Sequence, residues 1–352
     1  MVGHYMADIP FVGMGSLTGH ITLVAGPCAA ETREQVLATA EAVARLRDSG
    51  VRVIFRAGIW KPRTSPDSFQ GIGDEGMEWL QEVKRLTGLE TATEAGTPEQ
   101  AQKAVAAGID HLWTGARTGA SPMMLQQIAD ALSVAQNNGG QLKSLFVKNP
   151  MHEDAALWAG NIRRMQQTGL PVTAVHRGCG HRPCWRLAWH LRKMMPDVPM
   201  LLDPSHMSGD RSKVQALCRI AAELGYDGLM IEVHTQPEKA LSDAGQQITP
   251  AELPQCLFTP QQTDDLRWLR RQIDEADDDI WQAVERRMDI SREIGAWKRG
   301  QQMEVVQPAR FMQVVERRLQ WAEQKGLGED TVRTIMDALH TESIRTQQED
   351  RR

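Results

Sequence analysis

An apolar run, Val51-Arg52-Val53-Ile54-Phe55-Arg56, leads through Ala-Gly-Ile-Trp into Lys61-Pro62-Arg63-Thr64-Ser65-Pro66. Arg56, Lys61 and Arg63 therefore gather where a strand ends, with prolines restricting the turn that follows. Arginine presents a planar fork to phosphate or carboxylate, and lysine a compact point charge, so the cluster reads as an anion site. A solvated basic loop would read the same on this stretch alone. The repetition of such residues along the chain favours the site.

Further apolar runs end in, or just before, Cys28, Glu94, Arg117, Lys148, Arg177, Asp203 with His206, and Glu232. Arg56, Arg117, Lys148 and Arg177, with Lys61 and Arg63 beside them, supply positive charge for a strongly anionic substrate. Cys28, His206, Glu232 and Asp243 form a separate set of thiolate, imidazole and carboxylate ligands. Singly, each has an ordinary reading: a small buried thiol, a loop histidine, a helix cap. Together they suit one divalent ion of the Mn, Fe, Co or Zn type better than Mg or Ca, and a bound metal would keep Cys28 deprotonated. A second Cys/His group, His176, Cys179, His181 and Cys184, matches no standard zinc spacing and is read as a loop.

These residues need elements to carry them. Runs rich in Val, Ile and Leu occur at 21–26, 51–57, 89–93, 111–115, 144–147, 172–175, 199–202 and 228–233, and helical stretches such as 33–47, 77–86, 98–107, 122–135 and 211–224 separate them. Strands alternating with helices predict parallel βαβ units. Eight units predict a closed (β/α)8 barrel of the TIM type, whose active site lies where the strand C-termini converge. No Gly-x-Gly-x-x-Gly follows the first strand, which disfavours an open dinucleotide-binding sheet.

The formal net charge of −5 argues against a nucleic-acid or anionic-membrane partner, and a hydrophobic fraction of 41% allows a large core. Five cysteines without regular spacing predict no disulfide framework. Residues 1–20 hold no Lys or Arg and no continuous apolar stretch, and no run is long enough to span a bilayer. The expected location is cytoplasmic.

Composition changes near residue 250. The boundaries read as 1–250 for the barrel, 251–263 for a Pro- and Gln-rich linker, and 264–352 for an all-α domain. Leu266, Leu269, Ile273, Ala276, Ile280, Val284, Arg287, Ser291, Ile294 and Lys298 make one stripe on a helix of about 35 residues. Helices at about 308–324 and 329–348 follow. A domain this small cannot cover so long a stripe, which predicts a homodimer or larger homo-oligomer. Arg287 and Lys298 lie on the apolar face, where cations without partners are costly, so an anionic ligand between helices is expected. Arg270 lies about 100° off that face, and Ser343 and Gln347 continue the stripe of the last helix.

The barrel motifs are Ala25-Gly26-Pro27-Cys28, Arg56 with Lys61-Pro62-Arg63-Thr64, Gly115-Ala116-Arg117, Val147-Lys148, His176-Arg177-Gly178, Asp203-Pro204-Ser205-His206, Glu232-Val233-His234 and Leu241-Ser242-Asp243. Together they resemble the 3-deoxy-D-arabino-heptulosonate 7-phosphate (DAHP) synthase family, over about residues 20–255. The resemblance implies condensation of phosphoenolpyruvate with erythrose 4-phosphate. It also implies Cys28, His206, Glu232 and Asp243 as metal ligands, with manganese the expected ion in vitro. Arg56, Lys61, Arg117, Lys148 and Arg177 would bind phosphoenolpyruvate, and Arg63 and Thr64 the sugar phosphate. Either Lys148 or a metal-bound water would handle protons, and Glu94 would orient the water. The segment between Arg177 and Trp185 is several residues shorter than in relatives. A related enzyme, 3-deoxy-octulosonate 8-phosphate synthase, takes arabinose 5-phosphate, and the Lys-Pro-Arg-Thr stretch favours the shorter sugar.

Residues 264–349 resemble the all-helical chorismate mutase family, whose intertwined dimers turn chorismate into prephenate. By that resemblance Arg270 from a partner chain, Arg287 and Ser343 hold the carboxylates, and Lys298 and Gln347 meet the ether oxygen. Arg310 is retained, but Gln307 stands where an acid is usual, and Phe311 where a glutamate holds the substrate hydroxyl. The fusion implies prephenate as an effector of the barrel. The rival reading is a helical module that only regulates and dimerises.

Overall fold

The computed structural model describes residues 21–61, 67–257 and 262–349. Eight parallel strands close into a barrel in sequence order. They are β1 (Thr22–Gly26), β2 (Arg52–Arg56), β3 (Glu90–Glu94), β4 (His111–Thr114), β5 (Ser144–Lys148), β6 (Val172–His176), β7 (Met200–Leu202) and β8 (Gly228–Glu232). Helices α1 (Arg33–Ala44), α2 (Glu75–Thr87), α3 (Pro98–Ala106), α4 (Pro122–Asn137), α5 (Ala155–Gln166), α6 (Trp185–Met194), α7 (Pro204–Ser208) and α8 (Arg211–Glu223) run between or beside them. The strand pattern in the sequence matches these strands to within a residue or two. The apolar periodicity singled out no helix at α5 or α6, where small, aromatic and basic residues blur the apolar face.

Most crossing helices begin on a residue whose side chain accepts a backbone N–H: Thr32, Thr97, Ser121, Asp154 and Asp210 for α1, α3, α4, α5 and α8. One inward residue from each strand fills the barrel: Val24, Ile54, Ala92, Trp113, Phe146, Val175, Leu201 and Met230. Because side chains on a strand alternate, the residue two positions further on faces the same interior, one layer nearer the C-terminal rim. That upper layer reads Gly26, Arg56, Glu94, Gly115, Lys148, Arg177, Asp203 and Glu232. An apolar floor thus carries a charged ring by strand periodicity alone.

At the opposite end of the barrel, Glu90 joins Arg52, Lys143 and the ring of His111. His111 is fully buried, and its other nitrogen meets Ser144 Oγ at 2.7 Å.

Helices α9 (Asp265–Gly300), α10 (Pro308–Lys325) and α11 (Glu329–Glu349) follow. By contacts the chain divides into two compact units, one ending at Gln272 and the other starting at Ile273. In the first, Trp268 is buried with its ring 5.7 Å from Tyr226. In the second, Leu339, Ser343 and Gln347 of α11 meet residues of α9. Among the described residues no helix is long and apolar enough to cross a membrane.

Candidate functional site

A cleft opens at the rim, lined by Lys61, Glu94, Trp113, Arg117, Lys148 and Arg177 on its anion-binding side and by His206 and Asp243. Arg56 is fully buried below it, with its guanidinium 4.7 Å from the Trp113 ring, and Lys148 Nζ lies 6.0 Å from the same ring. The indole face is a favourable seat for both cations. Arg56 donates one N–H to Glu232 at 3.1 Å, while its Nε and Nη1 have no partner among the described residues. Unmet buried donors cost free energy unless a ligand accepts from them.

Lys148 donates to Asp203 at 2.7 Å in a buried pair. Burial draws the Lys148 pKa down, partly offset by Asp203. Burial opposes the Asp203 carboxylate, yet His206 and Lys148 hold it well below the usual range. Gly115 makes room for Glu94, because a Cβ there would sit 2.0 Å from Glu94 Oε1. The Arg177 backbone is fixed by Asn149, whose side chain accepts from Arg177 N at 2.7 Å and donates to Gly178 O at 2.9 Å.

Beside the cations lie the metal-type ligands. One donor atom each from Cys28, Glu232 and Asp243 falls within 4.8 Å of the others. His206 Nε2 is 3.6 Å from Glu232 Oε1. His206 Nδ1 faces Asp203, which also accepts the His206 N–H and so starts α7. A carboxylate on Nδ1 fixes the ring and leaves Nε2 as the lone-pair nitrogen toward the cluster. Gln246 donates to Glu232 at 2.7 Å, and Ser205 accepts the Glu232 N–H. Asp243 sits on a loop at φ 50, tied down where Leu241 N donates to Glu31. Burial, with Glu232 and Asp243 adding to it, pushes the Cys28 thiol up to about 12 against Lys61 and Arg56. A sulfur and two carboxylates around one point, with an imidazole nitrogen 3.6 Å from one of the carboxylates, fit a first-row divalent ion, which would displace that thiol proton.

A second group lies in the helical unit. Arg287 is half-buried and donates to Leu339 O at 2.7 Å and to Ser343 Oγ. Lys298 is buried and donates to Val305 O at 2.7 Å. Gln347 is buried, its Oε1 has no partner among the described residues, and Gly295 allows it close approach. Phe311 stacks on His340 at 3.9 Å. Burial lowers the His340 pKa, and the Arg287 and Lys298 charges lower it further.

A family model described as the DAHP synthetase I family matches residues 14–140 and 185–267. The chain belongs to that family. A model for chorismate mutase type II matches residues 269–348, so a DAHP synthase domain is followed by a chorismate mutase domain, both of them enzymes. The phospho-2-dehydro-3-deoxyheptonate aldolase of Thermotoga maritima is 34% identical over 252 residues, covering 68% of each chain. A 2-dehydro-3-deoxyphosphooctonate aldolase from Desulfatibacillum aliphaticivorans is 32% identical over 259 residues, covering 68% of this chain and 89% of that one. The crystal structure of the Thermotoga maritima DAHP synthase superposes with a TM-score of 0.57 at 28% identity, covering 70% of each chain.

In the synthase domain the rim collects Cys28, Arg56, Glu94, Arg117, Lys148, Arg177, Asp203, His206 and Glu232, singled out from strand ends, together with Lys61 and Asp243. Arg63 and Thr64 lie outside the described residues. Among the described residues the cysteines and histidines of 176–184 form no metal-type group, and His176 Nδ1 meets Tyr226 on the outer side of β6 at 2.7 Å. In the mutase domain Arg287, Lys298, Ser343 and Gln347 lie along α9 and α11, whereas Arg310 is exposed and Arg270 belongs to the first compact unit. Sequence reasoning missed Glu31, Trp113, Asn149, Ser205 and Gln246. Only Trp113 left a signal, its inward place two residues before Gly115.

Proposed function

We propose that the barrel condenses phosphoenolpyruvate with erythrose 4-phosphate to DAHP and phosphate with the help of one divalent metal, and that the helical domain rearranges chorismate to prephenate. The first reading is carried by a cleft ringed by Lys61, Arg117, Lys148 and Arg177 beside the Cys28–Glu232–Asp243 cluster and His206, with two buried Arg56 donors unmet among the described residues. Two phosphates and a carboxylate require that many fixed cations to offset repulsion and to stabilise charge that develops in the transition state. Cys28, His206, Glu232 and Asp243 would hold the metal, which when bound acts as a Lewis acid toward the sugar aldehyde.

Arg56, Lys61, Arg117, Lys148 and Arg177 orient phosphoenolpyruvate so that C3 faces that aldehyde. Lys148 serves as the proton carrier, since burial brings its pKa closer to neutrality while Asp203 keeps it placed. Glu94 faces the cleft from β3 and positions the water that adds at C2. Arg63 and Thr64 take the phosphate of the sugar. Manganese is the ion we expect in vitro.

In the helical domain Arg287 and Ser343 bind a carboxylate, and Lys298 and Gln347 address the ether oxygen, with Arg270 supplied by a partner chain and Arg310 at the rim. The reaction needs no nucleophile, only a compact conformer and positive charge at the breaking bond. Phe311, stacked on His340, gives the substrate hydroxyl no acceptor. Leu266, Leu269, Ile273, Ile280 and Ile294 stay exposed in a single chain, which supports a homodimer as the working form. We further propose domain limits at 250 and 264, a cytoplasmic setting, and prephenate as a feedback effector.

The octulosonate reading is favoured by relatives such as the Desulfatibacillum protein. Phosphoenolpyruvate consumption measured with erythrose 4-phosphate and with arabinose 5-phosphate decides between them. Turnover with the pentose alone overturns our choice.

A further inference from the structure

Two donors of the metal-type cluster stand on irregular backbone: Cys28 just after β1, and Asp243 in the loop after β8. Their side chains meet, with Cys28 Sγ 2.9 Å from Asp243 Oδ2. Packing does little to fix the Asp243 backbone. Leu241 is 59% exposed and Gly245 is exposed. Asp243 itself stands at φ 50, a conformation that costs a residue with a Cβ free energy. Polar ties must therefore hold this loop against the Cys28 segment.

One side chain joins the two segments directly. Gln247 Oε1 accepts the Cys28 backbone N–H at 3.0 Å, and Gln247 Nε2 donates to Ser242 O at 2.8 Å. A single amide thus runs from the residue that offers the sulfur to the residue before the one that offers the carboxylate. Cys28, Ser242 and Gln247 are all buried, so removing the amide strands a buried donor and a buried acceptor. The position of Gln247 is itself fixed from Glu232. Its neighbour Gln246 donates to the Glu232 carboxylate at 2.7 Å, and Ile248 N donates to Glu232 O at 3.0 Å. On the far side of the loop Arg211 holds Gly245 O through its backbone N–H at 2.8 Å and Ala244 O through its side chain at 2.7 Å. Those bonds tie the loop to α8 and leave the Cys28 segment to Gln247 and to the Glu31–Leu241 bond.

We propose that Gln247 is a positioning residue of the metal site, whose amide sets the approach of Cys28 to Asp243 and thereby the affinity for the ion. The inference rests on the reading of Cys28 and Asp243 as ligands of one metal. Gln247 acts through backbone: its bonds reach Cys28 N and Ser242 O, and the sulfur and carboxylate follow. Without the bridge the loop keeps its ties to α8, and Asp243 loses its register against the sulfur. Groups that orient ligands in this way govern metal affinity by about 10–100-fold.

The full-length protein, stripped of metal, is titrated with cobalt(II) in competition with a chelator, and the thiolate–cobalt absorption band reports whether sulfur is bound. Gln247→Met should weaken cobalt affinity on the order of 10–100-fold and diminish that band. Gln247→Asn keeps the amide but is one methylene too short to reach both groups. It should weaken binding in the same way, and it carries the test where Gln247→Met fails to fold. Arg211→Met, which cuts a tie of the same loop away from Cys28, should bind within about threefold of the unaltered protein. Combined with Asp243→Ala, Gln247→Met should cost less than the two separate losses multiplied, since both act on one ligand. Unchanged affinity and band in folded Gln247 variants overturn the proposal. An equal loss in Arg211→Met, or full multiplication in the double variant, overturns it too, by reducing Gln247 to general support of the loop. If the unaltered protein binds no cobalt, the metal reading itself fails, an outcome distinct from tight binding by every variant.

Discussion

The Lys61 ammonium nitrogen lies 3.1 Å from the Cys28 sulfur, and both side chains are buried. Asp243 approaches the same sulfur at 2.9 Å. Burial lowers the Lys61 pKa, but Cys28, Glu94 and Glu232 more than restore it, so this group stays an ammonium ion at the junction of anion cleft and metal cluster. Lys61→Met should lower kcat/KM for phosphoenolpyruvate by about 10²–10³-fold. Steady-state rates on folded protein measure it, and a loss under threefold would remove Lys61 from the site.

Arg56 and Glu232 form an ion pair with side-chain exposures of 1% and 0%. Arg56→Met strands a buried carboxylate and should cost about 3–5 kcal/mol in urea unfolding. Adding Glu232→Leu should recover most of that stability, though not activity, because the apolar pair no longer carries an uncompensated charge. A double variant no more stable than Arg56→Met would contradict the pairing.

Glu90, hydrogen-bonded by His111 with Lys143 and Arg52 assisting against desolvation, titrates well below the usual carboxylate range. A depressed folded-state pKa gives stability that is present above the unfolded value, near 4.5, and fades as pH falls through the folded value. Because the carboxylate is partly exposed, the contribution is of order 1 kcal/mol. Glu90→Gln should therefore be less stable by that amount at pH 6, with the difference shrinking in acid. Denaturation curves at several pH values show whether the two proteins converge.

Much of the barrel was legible because its periods are simple. Strand runs repeat, and one inward residue per strand lands at the rim, so Arg56, Lys148, Asp203 and Glu232 could be grouped from the sequence alone. What stayed hidden was set by contacts across the chain. Glu31 holds the Asp243 loop from 210 residues away, and Asn149 fixes Arg177 from 28 residues away; neither follows a local period. On α9 the apolar stripe was legible, but its division was not. Ile280 and Ile294 stay 57% and 43% exposed, beside stripe residues such as Ser291 and Lys298 that are buried within a single chain.

Lys298 is buried with one donated bond, to Val305 O. Lys298→Met should lower chorismate turnover by about 10²-fold or more, because the developing charge on the ether oxygen loses its cation. Phosphoenolpyruvate consumption in the same preparation should persist. Unchanged loss of chorismate absorbance would favour a helical domain that regulates without catalysing.

Trp281 and Trp297 are 69% and 61% exposed on α9. Large apolar side chains left this exposed would belong to the contact between copies proposed above. Trp297→Glu should shift sedimentation toward the monomer at micromolar concentration, and an unshifted assembly would place the contact elsewhere.

The central claim is that Cys28, His206, Glu232 and Asp243 hold a metal required for the condensation. Phosphoenolpyruvate consumption with erythrose 4-phosphate, followed after chelation and after return of manganese, in the unaltered chain and in Cys28→Ala, tests it most directly. Activity should vanish on chelation and return with the ion in the unaltered chain, and Cys28→Ala should stay inactive throughout. Full turnover in the chelated enzyme or in Cys28→Ala would contradict the account.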